Sequence, residues 1–198
     1  MEQGSQAFVL CGGIGAGKSY VSALFESAGV EMIEADRIGH EVLLPEGSAF
    51  GAVAARWPQV LERGLIDRKK LGAIVFHSPD ELAVLESMTH PAIAQEIARR
   101  ISTSSSRFVG VERPFLDGLV GQGVPVVVVD APDLVRAARL RNRGLTDEEI
   151  SSRMAAQPER GAWLEHADFV IDNGNGSDIV SQVSAAIHWL EGFVTGTR

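Results

Sequence analysis

The chain has 198 residues, of which 45% are hydrophobic, and this is enough for one main domain with a buried core. Its formal net charge of −8 argues against nonspecific binding to nucleic acid or to an anionic membrane, because basic surfaces supply most of that affinity. Residues 1–6 contain no apolar signal core, and no apolar run approaches the ~20 residues that cross a bilayer. We therefore expect a cytoplasmic protein with neither a membrane nor a nucleic acid as partner. The single cysteine, Cys11, cannot form an internal disulfide, and its apolar surroundings predict a packed thiol.

The stretch GGIGAGKS, residues 12–19, has the pattern of a phosphate-binding P-loop. It follows an apolar run, residues 7–11, that predicts a buried strand, and it precedes apolar residues at helical spacing that end at Gly29. Glycines let backbone N–H groups turn toward a phosphate, the helix N-terminus adds positive charge, and Lys18 can reach the β and γ oxygens. The hydroxyl of Ser19 can bind magnesium. A nucleotide-handling protein is therefore the first hypothesis.

Residues 30–35 predict a second strand that delivers Asp36 at its carboxyl end, where open α/β sheets bind their ligands. Asp36 could act as a general base, help to hold magnesium, or cap a helix that begins at Arg37. Glu34, two residues earlier, is expected on the same strand face. Paired acids at the mouth of such a sheet favour a functional role, and Asp36 is the stronger candidate.

Residues 37–105 are predicted to be mainly helical. Asp67 begins one helix, and the SPDE stretch at residues 78–81 predicts a capping box with proline at the first helical position. His90 precedes Pro91, which we interpret as the start of a further helix. His90 is then a capping or buried hydrogen-bonding residue unless other observations favour a binding role.

Strands alternate with helices in the second half of the chain. Buried strands are predicted at residues 108–111, 124–129 and 169–171, and helices at about 132–143, from 146–149 onward, and from near Ser177. This alternation after an N-terminal phosphate loop predicts an α/β fold, a three-layer α/β/α sandwich with a parallel central sheet.

Arginines are concentrated in one window of this acidic chain. Three of them are predicted on one helix face, and another lies one turn from Gln157 on the next helix. Two interpretations stay open: a lid, hinged at Gly144, that clamps phosphates, or a solvated face paired with the acids at residues 147–149. We favour the lid. The six residues are Arg136, Arg139, Arg141, Arg143, Arg153 and Arg160.

Several further motifs follow the P-loop in a fixed order. They are EAD at 34–36, GLIDR at 64–68 with Leu71 and Phe76, HP at 90–91, PFL at 114–116, the Arg139/Arg143 pair, Arg153 to Gln157, and ADFVIDN at 167–173. In this order, and over nearly the whole chain, they resemble the dephospho-CoA kinase family, whose members transfer the γ-phosphoryl group of ATP to the ribose 3′-hydroxyl of dephospho-CoA. A P-loop alone is shared by many proteins, whereas this series is specific.

The resemblance implies roles for individual residues. Asp36 would be the base toward the 3′-hydroxyl, and His90 and Arg153 would contact dephospho-CoA. Arg143 would bind the ATP phosphates, and Asn173 would lie near the adenine. ATP and Mg²⁺ are thus the implied cofactors, with Ser19 as the metal ligand. The implied ATP-binding loop comprises Gly13, Ile14, Gly15, Ala16, Gly17, Lys18, Ser19 and Tyr20.

The resemblance also implies a division of the chain. Residues 1–36 and 106–198 would form a nucleotide-binding core with a lid at about 140–165, and residues 37–105 would hold the acceptor substrate. All of these parts would belong to one kinase unit. The sequence does not indicate an oligomeric state or which lid arginine reaches the γ-phosphate.

Three positions depart from the family pattern. Tyr20 stands where threonine is usual, Glu34 replaces the usual first aspartate, and Gly118 occupies a place that is often glutamate. Ser19 still supplies the magnesium hydroxyl, and Glu34 keeps its charge. Gly118 lacks the carboxylate of that glutamate. The sequence therefore does not indicate the level of activity or the acceptor specificity.

Two other functions are consistent with the P-loop. One is a kinase that acts on a nucleoside or a nucleotide. The other is a nucleotide-binding switch, because the sequence DRIG at residues 36–39 matches a GTPase DxxG element. The chain lacks the Asn-Lys-x-Asp motif that reads guanine, which argues against the switch.

Overall fold

The computed structural model describes residues 5–113 and 123–195, and within these ranges no helix has both the length and the apolarity to cross a membrane. Strands and helices alternate along much of the chain, as the sequence predicts. The strands are β1 Gln6–Cys11, β2 Glu31–Glu34, β3 Leu61–Glu62, β4 Leu65–Ile66, β5 Phe108–Glu112, β6 Val126–Asp130 and β7 Phe169–Asp172. The helices are α1 Lys18–Ser27, α2 Ala35–Glu41, α3 Phe50–Arg56, α4 Arg68–Val75, α5 Pro79–Thr103, α6 Asp133–Asn142, α7 Asp147–Ala155, α8 Arg160–Glu165 and α9 Ile179–Thr195.

Five strands form the main sheet, in the order β2-β5-β1-β6-β7. Strand β1 pairs in parallel with β5 and β6, so that Val9 lies beside Val111 and Val126, and β6 pairs in parallel with β7. The strands are mostly apolar because helices cover both faces of a parallel sheet. The carboxyl ends of β1, β6 and β7 therefore meet at one edge. The predicted α/β fold with a parallel central sheet is confirmed.

Successive residues of β1 face opposite sides of the sheet. Phe8 packs with Phe25 of α1, with ring centroids 5.1 Å apart, and belongs to the same core cluster as Leu190 of α9. The next residue, Val9, packs in a second cluster with Trp163 of α8. Helices on both faces of one sheet give the three layers that the sequence predicts.

Cys11, the last residue of β1, is fully buried in the second of these clusters. Burial raises the pKa of its thiol to about 12, although the positive charges of Lys18 and Arg113 act in the opposite direction. A buried thiol with so high a pKa carries almost no thiolate near neutral pH. The prediction of a packed thiol is confirmed.

The chain divides into two compact units. One comprises residues 1–33 and 104–198, and the other comprises residues 34–103. The resemblance implied a separate substrate-holding part at 37–105. The main sheet and the glycine-rich loop belong to the first unit, and helices α2 to α5 with a small hairpin form the second.

Glycine ends two helices of the first unit. Gly29 after α1 and Gly144 after α6 have positive φ angles of 84° and 89°. After α6, the Gly144 N–H bonds to Arg141 O at 2.8 Å, and the Leu145 N–H bonds to Leu140 O at 3.3 Å. This pair of bonds is a Schellman motif, which satisfies the last carbonyls of the helix. Gly144, expected as a hinge, therefore lies at the position that terminates α6.

Two predicted helix starts have the expected caps. The carboxylate of Asp67 accepts the N–H groups of Lys69 and Lys70 at the start of α4. At the start of α7, Thr146 and Glu149 form a complete capping box. Each cap satisfies backbone donors that have no partner within the helix.

The start of α5 agrees with the prediction only in part. The Glu81 N–H donates to Ser78 Oγ at 3.3 Å, which is half of a capping box. The carboxylate of Glu81 instead accepts from Trp57 Nε1 at 2.8 Å and from Arg56. The other half of the predicted box is therefore wrong, because the acid binds side chains of a neighbouring segment of its unit.

Pro91 lies inside α5 and does not begin a helix, so that prediction is wrong. The helix runs without a break from Pro79 to Thr103 and packs against α2, α3 and α4. Proline in a helix interior removes one hydrogen bond, the one to the carbonyl of Ser87. Packing along a 25-residue helix outweighs this local cost. His90 is accordingly a mid-helix residue, half-buried, and has no capping position.

The second unit contains a hairpin that the sequence analysis did not predict. Strands β3 and β4 pair Leu61 with Ile66 and Glu62 with Leu65. The two residues of the turn, Arg63 and Gly64, have φ angles of 51° and 79°. Positive φ at both positions is typical of a type I′ turn, which Gly64 favours and Arg63 does not.

Candidate active site

The glycine-rich loop connects the carboxyl end of β1 to the start of α1. Gly12, Gly15 and Gly17 have φ angles of 144°, 79° and 97°, a region that favours glycine. A Cβ atom at Gly12 would overlap the carbonyl oxygen of Val129, and one at Gly17 would overlap the Asn173 amide. Both the backbone angles and the close approach of neighbours therefore require glycine at these positions.

Lys18 is the first residue of α1, and its Nζ donates to the carbonyl oxygen of Gly12 at 2.9 Å. The ammonium group is thus held over the loop. The N–H groups that open a helix point out of its N-terminus, where the helix dipole adds positive character, although the Tyr20 N–H already bonds to Gly17 O at 3.1 Å. These groups make the end of β1 a site for an anion.

Ser19 and Tyr20 follow in the first turn of α1, and both side chains are exposed. A serine hydroxyl is a hard oxygen donor, which suits Mg²⁺, a cation that takes few protein ligands and binds mainly water and phosphate oxygens. The residues present therefore fit that ion. Within residues 5–113 and 123–195, no group of three or more His, Cys, Asp or Glu side chains is arranged to hold a metal.

Arg136 of α6 lies against the outside of the loop. Its Nε donates to Ile14 O at 2.8 Å, and one terminal nitrogen pairs with Asp133 at 3.0 Å. A Cβ atom at Gly13 would overlap the guanidinium. The Arg136 side chain is only 5% exposed. The prediction that Arg136 lies on a lid face over phosphate is wrong, because its side chain is buried against the loop.

Gln157, which follows α7, bonds to the same residue of the loop from another direction. Its Oε1 accepts the Ile14 N–H at 2.7 Å. Ile14 was expected to bind ATP through the loop backbone, and both of its own peptide atoms are bonded to protein side chains. Gln157 stood out in the sequence for its spacing from Arg153 and as part of the ordered motifs, but no sequence signal indicated this contact.

Arg139 and Asn173 hold the later part of the loop. Arg139 donates to Ala16 O at 3.1 Å and to Asn173 O at 2.8 Å. Asn173 Nδ2 donates to Ala16 O at 2.7 Å, and the Asn173 N–H donates to Asp130 O at 2.7 Å. The segment after β7 is thereby fixed to both the loop and β6. The buried Asn173 amide is directed at the loop.

A cavity of about 280 Å³ lies beside this network. It is formed by one side of α6 and the residues that follow β7. Apolar, amide and guanidinium groups all contribute to its wall, a mixture typical of sites for small organic molecules. The lining residues are Leu134, Val135, Ala138, Arg139, Asn142 and Asn175.

The other arginines of the window differ in their surroundings. Arg160 makes a two-pronged ion pair with Asp130 at 2.8 and 2.6 Å, which attaches α8 to the end of β6. Arg141 pairs with Asp147 at 2.5 Å, as the solvated-face interpretation expects. Arg143 and Arg153 are exposed. Only part of the window is therefore available to a ligand.

The candidate acid of the second unit lies on a helix. Strand β2 ends at Glu34, and Asp36 is in the first turn of α2, with its side chain exposed. The expectation that Glu34 and Asp36 share a strand face is wrong, because helical backbone separates their directions. Asp36 remains an accessible carboxylate. His90 lies elsewhere in this unit, half-buried on α5.

Two further positions bear on the site. Glu112 ends β5, and the next residue, Arg113, is buried and donates its N–H to Leu10 O at 3.0 Å. Burial lowers the pKa of Arg113 from its usual value. No sequence signal indicated Arg113. The PFL motif at 114–116 and Gly118 lie outside the described residues.

Known proteins with similar sequences agree on one family. A family model described as CoaE, dephospho-CoA kinase, matches residues 7–178. The dephospho-CoA kinase of Streptomyces avermitilis is 42% identical over 171 residues, which are 83% of each chain. That of Corynebacterium glutamicum is 35% identical over 187 residues, which are 90% of this chain and 94% of the relative.

Solved structures with the same fold include kinases. A protein of Thermus thermophilus superposes with a TM-score of 0.83 at 26% identity, covering 95% of this chain and 98% of that chain. A dephospho-CoA kinase from Campylobacter jejuni gives a TM-score of 0.69 at 27% identity, covering 93% and 96%. A shikimate kinase from Bacteroides thetaiotaomicron, 17% identical with a TM-score of 0.51, shares the fold.

Proposed function

Since this chain belongs to the dephospho-CoA kinase family, we propose that its glycine-rich loop and the side chains of Asp36, Arg143 and His90 carry out that family's reaction. The activity is the transfer of the γ-phosphoryl group of ATP to the ribose 3′-hydroxyl of dephospho-CoA, which yields coenzyme A and ADP. The observation that carries the proposal is the family match over residues 7–178, within which the loop opens α1 at the end of β1.

The loop and Lys18 bind the triphosphate. Backbone N–H groups of the loop and of the first turn of α1 surround the β-phosphate, and the helix dipole stabilises its charge. Lys18 exchanges its bond to the Gly12 carbonyl for the β and γ oxygens. The positive charge opposes the negative charge that develops on the leaving ADP oxygen.

Ser19 is the residue that would hold a magnesium ion, through its exposed hydroxyl. Such an ion would neutralise part of the negative charge of the phosphates. Tyr20, next to Ser19, leaves that hydroxyl available, so its departure from the family pattern does not remove the metal ligand.

Asp36 accepts the proton of the attacking hydroxyl. As the 3′-oxygen forms its bond to the γ-phosphorus, the bond from that phosphorus to the β-phosphate oxygen breaks, and ADP leaves with the electron pair. The hydroxyl proton passes to the carboxylate of Asp36. The exposed position of Asp36 in the first turn of α2 supports this role, because the carboxylate is accessible to a substrate.

Arg143 and Arg153 are the arginines of the lid that are free to reach ligands from its surface. Both side chains are exposed, and each lies at or near the end of a helix, where a small rearrangement moves the charge. We assign Arg143 to the ATP phosphates and Arg153 to dephospho-CoA. Closure of residues 140–165 over the substrates excludes water, which competes as phosphoryl acceptor.

The remaining contacts concern the two substrates. His90 on α5 contacts dephospho-CoA, and the cavity beside Asn173 receives the adenine of ATP. The reaction takes place in the cytoplasm and involves no nucleic acid, in keeping with a net charge of −8.

The proposed function is tested by comparing acceptor substrates. ADP release is measured with ATP, magnesium and either dephospho-CoA, adenosine, AMP or shikimate, and we expect the highest kcat/KM with dephospho-CoA. Equal or better turnover with another acceptor would overturn the assignment. Titration calorimetry with ATP and GTP separates the enzyme from a nucleotide-binding switch, for which tight GTP binding without turnover is the signature.

A further inference from the structure

Two successive peptide groups of the phosphate loop are held from outside the loop. The N–H of Ile14, which belongs to the peptide between residues 13 and 14, donates to Gln157 Oε1 at 2.7 Å. The carbonyl of Ile14, which belongs to the next peptide, accepts from Arg136 Nε at 2.8 Å. With both peptide planes fixed, neither backbone angle of Ile14 is free to change.

The orientation of these peptides determines which backbone N–H and C=O groups point to the inner side of the loop. In a trans peptide the C=O and N–H bonds point in opposite directions. Since the Ile14 carbonyl points to Arg136, the N–H of Gly15 points away from α6, toward the side where the loop encloses a ligand. In the same way, the Gly13 carbonyl points away from Gln157 and accepts the Ala16 N–H at 3.1 Å.

Arg136 is itself firmly placed. Its side chain is only 5% exposed, and its ion pair with Asp133 spans one turn of α6. The absence of a side chain at Gly13 provides the space for the guanidinium. A Cβ atom at Gly15 would lie 2.8 Å from the backbone carbonyl of Arg136, so the helix also contacts the loop directly. The guanidinium is therefore a fixed support and does not reach a nucleotide.

Gln157 connects the same peptide to the lid. It lies two residues beyond α7, and its N–H bonds to Met154 O at 3.2 Å in the last turn of that helix. A movement of α7 would carry Gln157 away from Ile14 and release the peptide between residues 13 and 14.

We propose that Arg136 and Gln157 are positioning residues that hold the Ile14 peptides so that the loop amides face the β-phosphate of ATP or ADP. This inference rests on the proposed function only for the identity of the nucleotide. Neither side chain contacts the phosphate, and both act through the backbone of the loop.

The test uses Gln157→Met, which keeps the length of the side chain, and Arg136→Met, whose side chain ends at the position of Nε; both remove the bond to Ile14. Arg107→Met is the matched control, because it removes an exposed ion pair with Glu191 in the same unit. Affinities for ADP and for AMP are measured by titration calorimetry, together with the melting temperature of each variant.

We expect both variants to bind ADP about tenfold more weakly, the size of effect expected for one lost orienting hydrogen bond. AMP, which lacks the β-phosphate, should bind each variant as it binds the wild type, and Arg107→Met should bind both nucleotides normally. A general loss of structure would weaken the binding of ADP and of AMP to the same extent. Unchanged ADP affinity in the folded variants, or equal losses for ADP and AMP, overturns the proposal.

Two features keep the test decisive. If Arg136→Met does not fold, Gln157→Met alone decides, because Gln157 is at the surface end of the contact and only half-buried. The binding measurements need no acceptor substrate. A wild-type protein that binds ADP but does not phosphorylate dephospho-CoA would overturn the proposed function and leave this inference standing.

Discussion

At the scale of single residues, burial and ion pairing together distinguish the arginines of the window. Arg136 is buried and supports the loop, and Arg160 is paired with Asp130. Arg143 and Arg153 are exposed and available to ligands. The sequence showed the concentration of charge in this window but could not separate these roles, because residues at helical spacing on one face need not share the same neighbours.

The first prediction concerns Asp36. Replacement by asparagine keeps the size of the side chain but removes the carboxylate that we propose as the acceptor of the 3′-hydroxyl proton. We expect kcat to fall at least ~100-fold while ATP affinity is unchanged, because general-base catalysis typically contributes a factor of this order. Steady-state ADP release and titration with ATP measure the two quantities.

Asp80→Asn is the control for this prediction. Asp80 is also an exposed acid in the first turn of a helix, α5 of the same unit. It should leave kcat unchanged. If Asp36→Asn also leaves kcat unchanged, Asp36 is not the base.

At the scale of helices and strands, local signals predicted the starts better than the interiors. Asp67 and Thr146 cap helices where the sequence indicates them, since a cap depends on a few neighbouring residues. The helix start predicted at Pro91 is wrong because packing along the whole of α5 outweighs the local effect of the proline. The hairpin at residues 61–66 was missed because strands of two residues have no measurable alternation.

Helix α5 also gives a prediction about pH. Glu96 accepts bonds from Arg99 at 2.7 Å and Arg100 at 2.8 Å, and these hold the pKa of its carboxyl at about 2, below its usual value of 4.5. A carboxyl with a lowered pKa in the folded state stabilises the fold above the unfolded pKa, and this contribution is lost as the pH falls through about 2.

Glu96→Gln should therefore lower the melting temperature near neutral pH, and its difference from the wild type should shrink as the pH falls below about 4.5. The effect should be modest, because Glu96 is partly exposed. Glu86→Gln, at an exposed position of the same helix, is the control and should follow the wild type. A difference that stays constant across the whole pH range would contradict the assignment to Glu96.

At the scale of the whole molecule, the sequence predicted the fold but not the contacts within the candidate site. The P-loop pattern and the alternation of strands and helices were sufficient to predict the parallel sheet and the glycine-rich loop between β1 and α1. The bonds from Arg136 and Gln157 to Ile14 join residues 122 and 143 positions apart. Such pairings depend on the complete fold, so no local sequence pattern predicts them.

Cys11 provides a prediction about the opening of the first unit. Its thiol is buried and its pKa is raised to about 12, so an alkylating reagent should react with the native protein only when that region opens. The rate of modification, followed by mass spectrometry, should be far below that of the protein in denaturant. Added ADP should slow it further, because ligand binding stabilises the native state.

Cys11→Ala is the blank for this measurement, since Cys11 is the only cysteine in the chain. Rapid modification of the native protein, insensitive to ADP, would show that the thiol is accessible without opening and would contradict its buried position.

The contact between Gly13 and Arg136 restricts how sequences of this lineage can diverge. Any side chain at residue 13 would require the guanidinium beside it to move, and this would disturb the bonds of Arg136 to Ile14 and Asp133. A shorter residue at 136 would remove this conflict. Descendants that keep arginine at 136 are therefore expected to keep glycine at 13 more often than those that do not.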